Sequence, residues 1–181
     1  MRYVSMFAAA WLILALVGPV IGSDQEILFQ SRFETDQDGD GLADGWKLWG
    51  ENSLEYNLIK DAGEGLTGQF IKYRGKKYGG ISVSVAVKPE TSYRLTFRAK
   101  SAGESGTAGV RVAGRKTYYQ LPYGRESFPV TAAWTEVTRE FKTTADAVEI
   151  DLIIYQNTMP APYGIVIADC RLVAKAGGVG P

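Results

Sequence analysis

The stretch GISVSVAVKPETSYRLTFRAKS, residues 80–101, decides the fold. Ile81, Val83, Val85 and Val87 alternate with Ser82, Ser84 and Ala86. After the turn Lys88-Pro89-Glu90 the alternation resumes, with Tyr93, Leu95, Phe97 and Ala99 against Arg94, Thr96, Arg98 and Lys100. A period of two puts successive side chains on opposite faces of a strand, so each run buries one face and leaves the other polar. Two such runs joined at a proline turn predict two consecutive strands, each with one buried face.

The same signal recurs on both sides. Strands are predicted at Glu26–Phe33, Leu54–Lys60, Gln69–Arg74, Val110–Ala113, Trp134–Thr143, Val148–Gln156 and Gly164–Val173, with Trp46–Gly50 as a short extended piece. Gly114–Thr131 reads as a long tyrosine-bearing loop or irregular strand. The helical apolar period is almost absent. About nine short strands with regular turns predict an all-β chain, a β-sandwich or barrel.

Residues 1–22 read as a signal peptide: Arg2, the apolar run Met6–Val17, then Pro19 and small residues before Ser23. The run is short for a membrane span, and no Cys follows to carry a lipid. One domain is expected over 23–175, with 176–181 (AGGVGP) as a flexible tail, in a protein that is secreted, extracellular or periplasmic. The chain has 181 residues, with 20 basic and 20 acidic side chains. Arg2 is the only charge within 1–22, so its loss leaves one net negative charge. Such a balance disfavours nucleic acid, and no membrane contact is expected once the signal is removed. Cys170 is the single cysteine, which excludes an intrachain disulfide; its apolar surroundings (IVIADCRLV) predict a buried small hydrophobe.

Residues 36–46, DQDGDGLADGW, concentrate four aspartates among glycines. Carboxylates packed so closely repel unless a cation joins them, and hard oxygen donors favour calcium. Taking Asp36 as the first position of a calcium loop, Asp38 is third, Asp40 fifth, Leu42 seventh through its carbonyl and Asp44 ninth. Lys47 stands at the twelfth, where a bidentate Glu belongs, so water or another carboxylate, Glu34 or Glu51, must complete the set. The alternative is a metal-free Asx/Gly turn.

Three stretches carry a family likeness. They are Phe33-Glu34 followed by Asp44-Gly45-Trp46; residues 80–101; and Ala133-Trp134-Thr135-Glu136-Val137 with the closing Tyr163-Gly164-Ile165-Val166-Ile167-Ala168-Asp169. Together they resemble the CenC-like carbohydrate-binding modules of families 4, 9 and 22. The resemblance implies a galactose-binding-like jelly roll of two antiparallel sheets. It also implies a structural calcium tying first strand to last, with Glu34 and Asp169 as side-chain ligands. Ala168 and Cys170 depart from the family pattern around Asp169. The acidic loop is richer than the family requires and resembles the calcium loops of dockerins and thrombospondin type 3 repeats.

Sugars present apolar C–H faces and polar edges, so aromatic platforms beside amide, carboxylate or guanidinium groups suit them. Tyr118, Tyr119 and Tyr123 cluster in a polar loop; Tyr155 alternates with Glu149 and Asp151 on one strand face, and Arg111 lies between Val110 and Val112. These are the candidate carbohydrate-binding residues. Trp46, Trp49 and Trp134 are read as core or edge packing, with Trp49 the most exposed. The absence of His removes Ser-His-Asp, Cys-His and His-ligated zinc chemistry. A carboxylate-only glycosidase is conceivable, but Glu149 and Asp151 have Cα atoms only roughly 6.5–7 Å apart on one strand. The leading expectation is a non-catalytic module binding a polysaccharide or other glycan, stabilised by Ca2+. The alternatives are a calcium-stabilised adhesion or structural module that binds protein, and a glycoside hydrolase accessory or catalytic protein.

Overall fold

The computed structural model describes residues 26–50, 53–74, 79–114, 118–119, 126–156 and 163–175. The expected signal peptide, Glu51, Tyr123 and the tail lie outside them. Among the described residues all regular structure is strand. In chain order these are β1 (Ile27–Ser31), β2 (Lys47–Gly50), β3 (Leu54–Ile59), β4 (Gly68–Tyr73), β5 (Gly79–Ala86) and β6 (Ser92–Ser101). Then come β7 (Gly106–Gly114), β8 (Tyr118–Tyr119), β9 (Glu126–Val130), β10 (Thr135–Lys142), β11 (Glu149–Gln156) and β12 (Ile165–Ala174). One sheet runs β10-β6-β12-β4-β3 with β1 also on β12; the other runs β2-β5-β11-β7-β8 with β9 also on β7. All pairings are antiparallel. The two sheets face each other as a jelly-roll sandwich.

The alternation that opened the sequence reading builds the interior. Ile81, Val83 and Val85 of β5 and Tyr93, Leu95, Phe97 and Ala99 of β6 are buried, one set from each sheet. Val110 and Val112 of β7 and Ile150, Leu152 and Ile154 of β11 join them. Cys170 is fully buried, as its apolar setting predicts, and burial pushes its thiol well above the ordinary range, so it is no thiolate nucleophile.

Several boundaries differ from the sequence reading. The first strand stops at Ser31 because Phe33 adopts a left-handed backbone (φ 57°) that turns its ring inward, where it stacks on Trp46 at 5.2 Å. The extended piece at Trp46–Gly50 is a true strand, β2, paired with β5 from Lys47↔Ser82 to Gly50↔Gly79. The stretch 114–131, read as a loop or irregular strand, contains β8 and β9, both on the edge of β7. Pro129 masks β9 in the sequence, yet it sits on an edge strand, where a missing N–H is tolerated, and Phe128 and Val130 beside it are buried.

β12 is the centre of its sheet. One side pairs with β6 along almost its whole length; the other pairs with β4 at Ile165–Ile167 and with β1 from Cys170 to Val173. Asp169 falls where the partner changes. It takes φ 48° within a register shift between Ala168 and Arg171, a bulge that lets one strand serve two partners.

The open side of the sandwich is closed by an ion pair. Arg139 of edge strand β10 is in register with the buried Leu95, and Glu126 of β9 with the buried Val110, so both side chains lie on inner faces. Their charged ends pair across the sheets with only 22% and 14% side-chain exposure. Burial lowers the Arg139 pKa from its ordinary value. Removing one partner of so sheltered a pair strands the other, at a cost of about 3 kcal/mol. Urea denaturation of Arg139→Ala is expected to show that loss, and the paired replacement Arg139→Met with Glu126→Leu is expected to restore most of it. A wild-type midpoint for the single variant would contradict the account.

Candidate functional site

The outer face of the β2-β5-β11-β7 sheet is built from the odd-numbered residues of β11. Tyr155 is flanked in register by Gly80 of β5 and Gly109 of β7. Gly80 lets the β5 backbone approach β11, where a Cβ would stand 2.1 Å from the Ile154 carbonyl oxygen, and Gly109 leaves room for the ring. A Cβ at Gly109 would stand 2.3 Å from the Tyr155 ring, so the ring lies flat across β7. Trp49, opposite Gly80 on β2, packs its ring 5.5 Å from that of Tyr155 at 50°. The Arg111 guanidinium sits 5.9 Å over the Trp49 ring, a cation–π contact. Ala113 and Ile153 complete a small apolar cluster separate from the interior core.

Along β11 the face turns polar. Asp151 lies between Ser84 and Ala113 in register, and the Ser84 hydroxyl donates to its Oδ1 at 2.6 Å. Glu149 follows, opposite Ala86. The surface therefore grades from an aromatic, cationic end to an acidic one. It can stack a flat apolar ring and hydrogen-bond the hydroxyls around it.

Of the sequence-derived candidates, Tyr155, Arg111 and Asp151 share this face. Tyr155 is only 2% exposed, so it forms the floor, and the half-buried Trp49 is the accessible ring. Tyr118 and Tyr119 lie in β8, in register with Ala113 and Val112. The sequence groups Trp49 with the packing tryptophans while marking it the most exposed of the three, and it is half-buried here. The signal that could have placed it was the spacing of Lys47 and Trp49, which share one face of β2. Gly109, under the Tyr155 ring, lies far away in sequence and gives no local cue.

The acidic loop is ordered by its own carboxylates. Asp36 accepts from the backbone N–H groups of Asp40 (3.1 Å) and Gly41 (3.0 Å), and Asp40 accepts from that of Leu42 (2.8 Å). Gly39 and Gly41 take φ 72° and 89°, which glycine alone adopts freely. Oxygens of Asp36, Asp38 and Asp40 lie within 4.8 Å of one another. Asp44 is not one of that triad: its Oδ1 accepts from the Gln37 N–H at 2.9 Å. Leu42 buries its side chain in the core. The fully buried Gln69 of β4 anchors the loop, accepting from the Ala43 N–H at 2.9 Å and donating to the Gly41 carbonyl at 3.1 Å. Three converging carboxylates form an all-oxygen donor set that suits a hard dication.

Glu34 and Asp169 stand apart from the triad. Both line a cavity of about 460 Å³ on the outer face of the β12 sheet. Their donors are also oxygens, and Asp169 marks the junction of β1 and β4 on β12.

The profile of the family described as "Carbohydrate binding domain" matches residues 25–162. No curated protein matches the chain. Among solved structures, the chain is similar to the CBM22-1–GH10 modules of Clostridium thermocellum endo-1,4-beta-D-xylanase 10B complexed with xylohexaose. The TM-score is 0.62 and the identity 19%, over 85% of this chain and 29% of that one. It is also similar to the CBM22-1 xylan-binding domain of Paenibacillus barcinonensis Xyn10C, with a TM-score of 0.60 and 14% identity over 84% of this chain and 97% of that domain. A CBM4 structure shares a TM-score of 0.54 and 15% identity over 72% of this chain and 86% of its own. At these identities the structural likeness carries the fold, while the family match spans most of the chain. The chain belongs to the carbohydrate-binding domain family whose profile covers residues 25–162.

Proposed function

We propose that this protein is a secreted, non-catalytic module that binds a polysaccharide along the outer face of the β2-β5-β11-β7 sheet. The observation that carries the reading is the Trp49–Tyr155 ring pair, bordered by Arg111 and Asp151 on one otherwise polar surface. A sugar ring stacks on Trp49, Tyr155 supports that ring from below, and Arg111 and Asp151 bond the hydroxyls. The xylan-binding neighbours favour a β-linked glycan of xylan type. Nothing in this arrangement calls for catalysis: the face pairs its carboxylates with stacking groups, and the chain has no histidine.

Calcium is part of the proposal in a structural role. Asp36, Asp38 and Asp40 would hold an ion that fixes the loop, with Leu42 and Asp44 contributing through the backbone and the loop's own hydrogen bonds. Glu34 and Asp169 would hold another where β1 meets β12. The ion supplies charge compensation and cross-linking; it takes no part in sugar chemistry.

Affinity electrophoresis in soluble xylan and mixed-linkage β-glucan tests the glycan face. Retardation is expected for the wild type, and Trp49→Ala is expected to weaken it about tenfold, the loss of one stacking contact. Unchanged migration of the wild type in every polysaccharide would overturn the reading and favour a protein-binding module. Calcium is tested by melting with and without chelator. A site held at 100 times its Kd adds ~2.7 kcal/mol, which for a domain of this size raises Tm by about 5–10 °C. Identical melting curves would remove the structural role.

A further inference from the structure

The cavity that Glu34 and Asp169 line lies on the opposite sheet. Its walls come from β1, β6 and β12 on the outer face, with a volume of about 460 Å³, within the range of small-ligand sites. Arg171 of β12 is flanked in register by Gln30 of β1 and Thr96 of β6, giving a row of amide, guanidinium and hydroxyl. Two residues further along the same faces come Arg32, just past β1, and Arg98 on β6. All five line the cavity. Three arginines from three adjacent strand paths thus share one space.

Their pairing is uneven. Arg98 bonds Glu64 at 2.5 Å and lies 5.5 Å over the Trp134 ring. Arg32 and Arg171 form no ion pair among the described residues, although Glu34, Glu136 and Asp169 line the same cavity. Carboxylates line the same cavity, yet among the described residues none forms a direct ion pair with these two guanidiniums. A guanidinium fork matches a carboxylate bidentately. Glu34 and Asp169 are the proposed calcium ligands, which leaves Glu136 as the lining carboxylate that accepts hydroxyl hydrogens. The cavity is also larger than a simple ion needs.

We propose that this cavity is a second saccharide site that takes a uronic acid residue, its carboxylate held by Arg32 and Arg171 and its hydroxyls by Gln30, Thr96 and Glu136. The choice of a sugar acid rests on the carbohydrate-binding reading above; the anion contact rests on the arginines alone.

The test is calorimetric titration with trigalacturonic acid, with xylotriose and inorganic sulfate titrated in parallel. Trigalacturonic acid is expected to bind the wild type, to lose about tenfold or more in Arg32→Ala/Arg171→Ala, and to bind Trp49→Ala unchanged. Arg171→Lys, which keeps the charge but not the fork, is expected to recover only part of the affinity. Absence of binding, equal binding by the double variant, loss in Trp49→Ala, or sulfate binding as tightly as the trimer would each overturn the proposal. Xylotriose reports on the Trp49 face separately: its failure to bind, with the acidic trimer still bound through the arginines, would sink the first face and leave this site standing.

Discussion

One ten-residue strand, β12, has to satisfy three neighbours, and the rest of the architecture follows from how it does so. Its backbone groups on one side go to β6, and on the other they are divided between β4 and β1. Unpaired backbone groups in a sandwich interior are costly, so the change of partner must be abrupt. The bulge at Asp169 achieves it, placing a left-handed residue where the ladder switches. β1 and β4 thus follow one another along the same side of β12, and the acidic loop between β1 and β2 is tied to β4. Gln69 locks that loop to β4 with two bonds from a fully buried amide.

The aromatic face obeys a different constraint, the space between strands. Neighbouring strands lie about 4.8 Å apart, too close for a tyrosine ring to lie flat over a side-chain-bearing neighbour. Gly109 removes the obstruction, Gly80 lets β5 sit close against β11, and Trp49 closes over the result. The aromatic pair is therefore a property of four strands together. Among the described residues the two outward faces then divide the chemistry, with a ring pair, Arg111 and Asp151 on one and three arginines with carboxylates on the other.

Much of the fold was legible because period-two alternation is a local property. Residues 80–101 announced their strands, their turn and their buried faces without any partner in view. What stayed hidden depends on partners distant in sequence. β8 and β9 are held by β7, and Pro129 obscures their pattern. Phe33 leaves the first strand because Trp46 offers it a stacking surface. Tyr155, Arg111 and Asp151 could be placed on shared strand faces, but not the depth at which Tyr155 sits, since that depth is set by Gly109 and Trp49. The acidic loop was legible as a concentration of charge; that Asp44 turns to the Gln37 N–H was not, because the backbone decides it.

Arg139 also bears on how the molecule keeps to itself. β10 is an edge strand, with backbone donors and acceptors that a second chain could extend into a continuous sheet. A guanidinium directed inward from such an edge, already bound to Glu126 of the facing sheet, makes that addition costly. An incoming strand would have to bury this partly exposed charge pair further. The pair that closes the sandwich thus also guards its rim against aggregation.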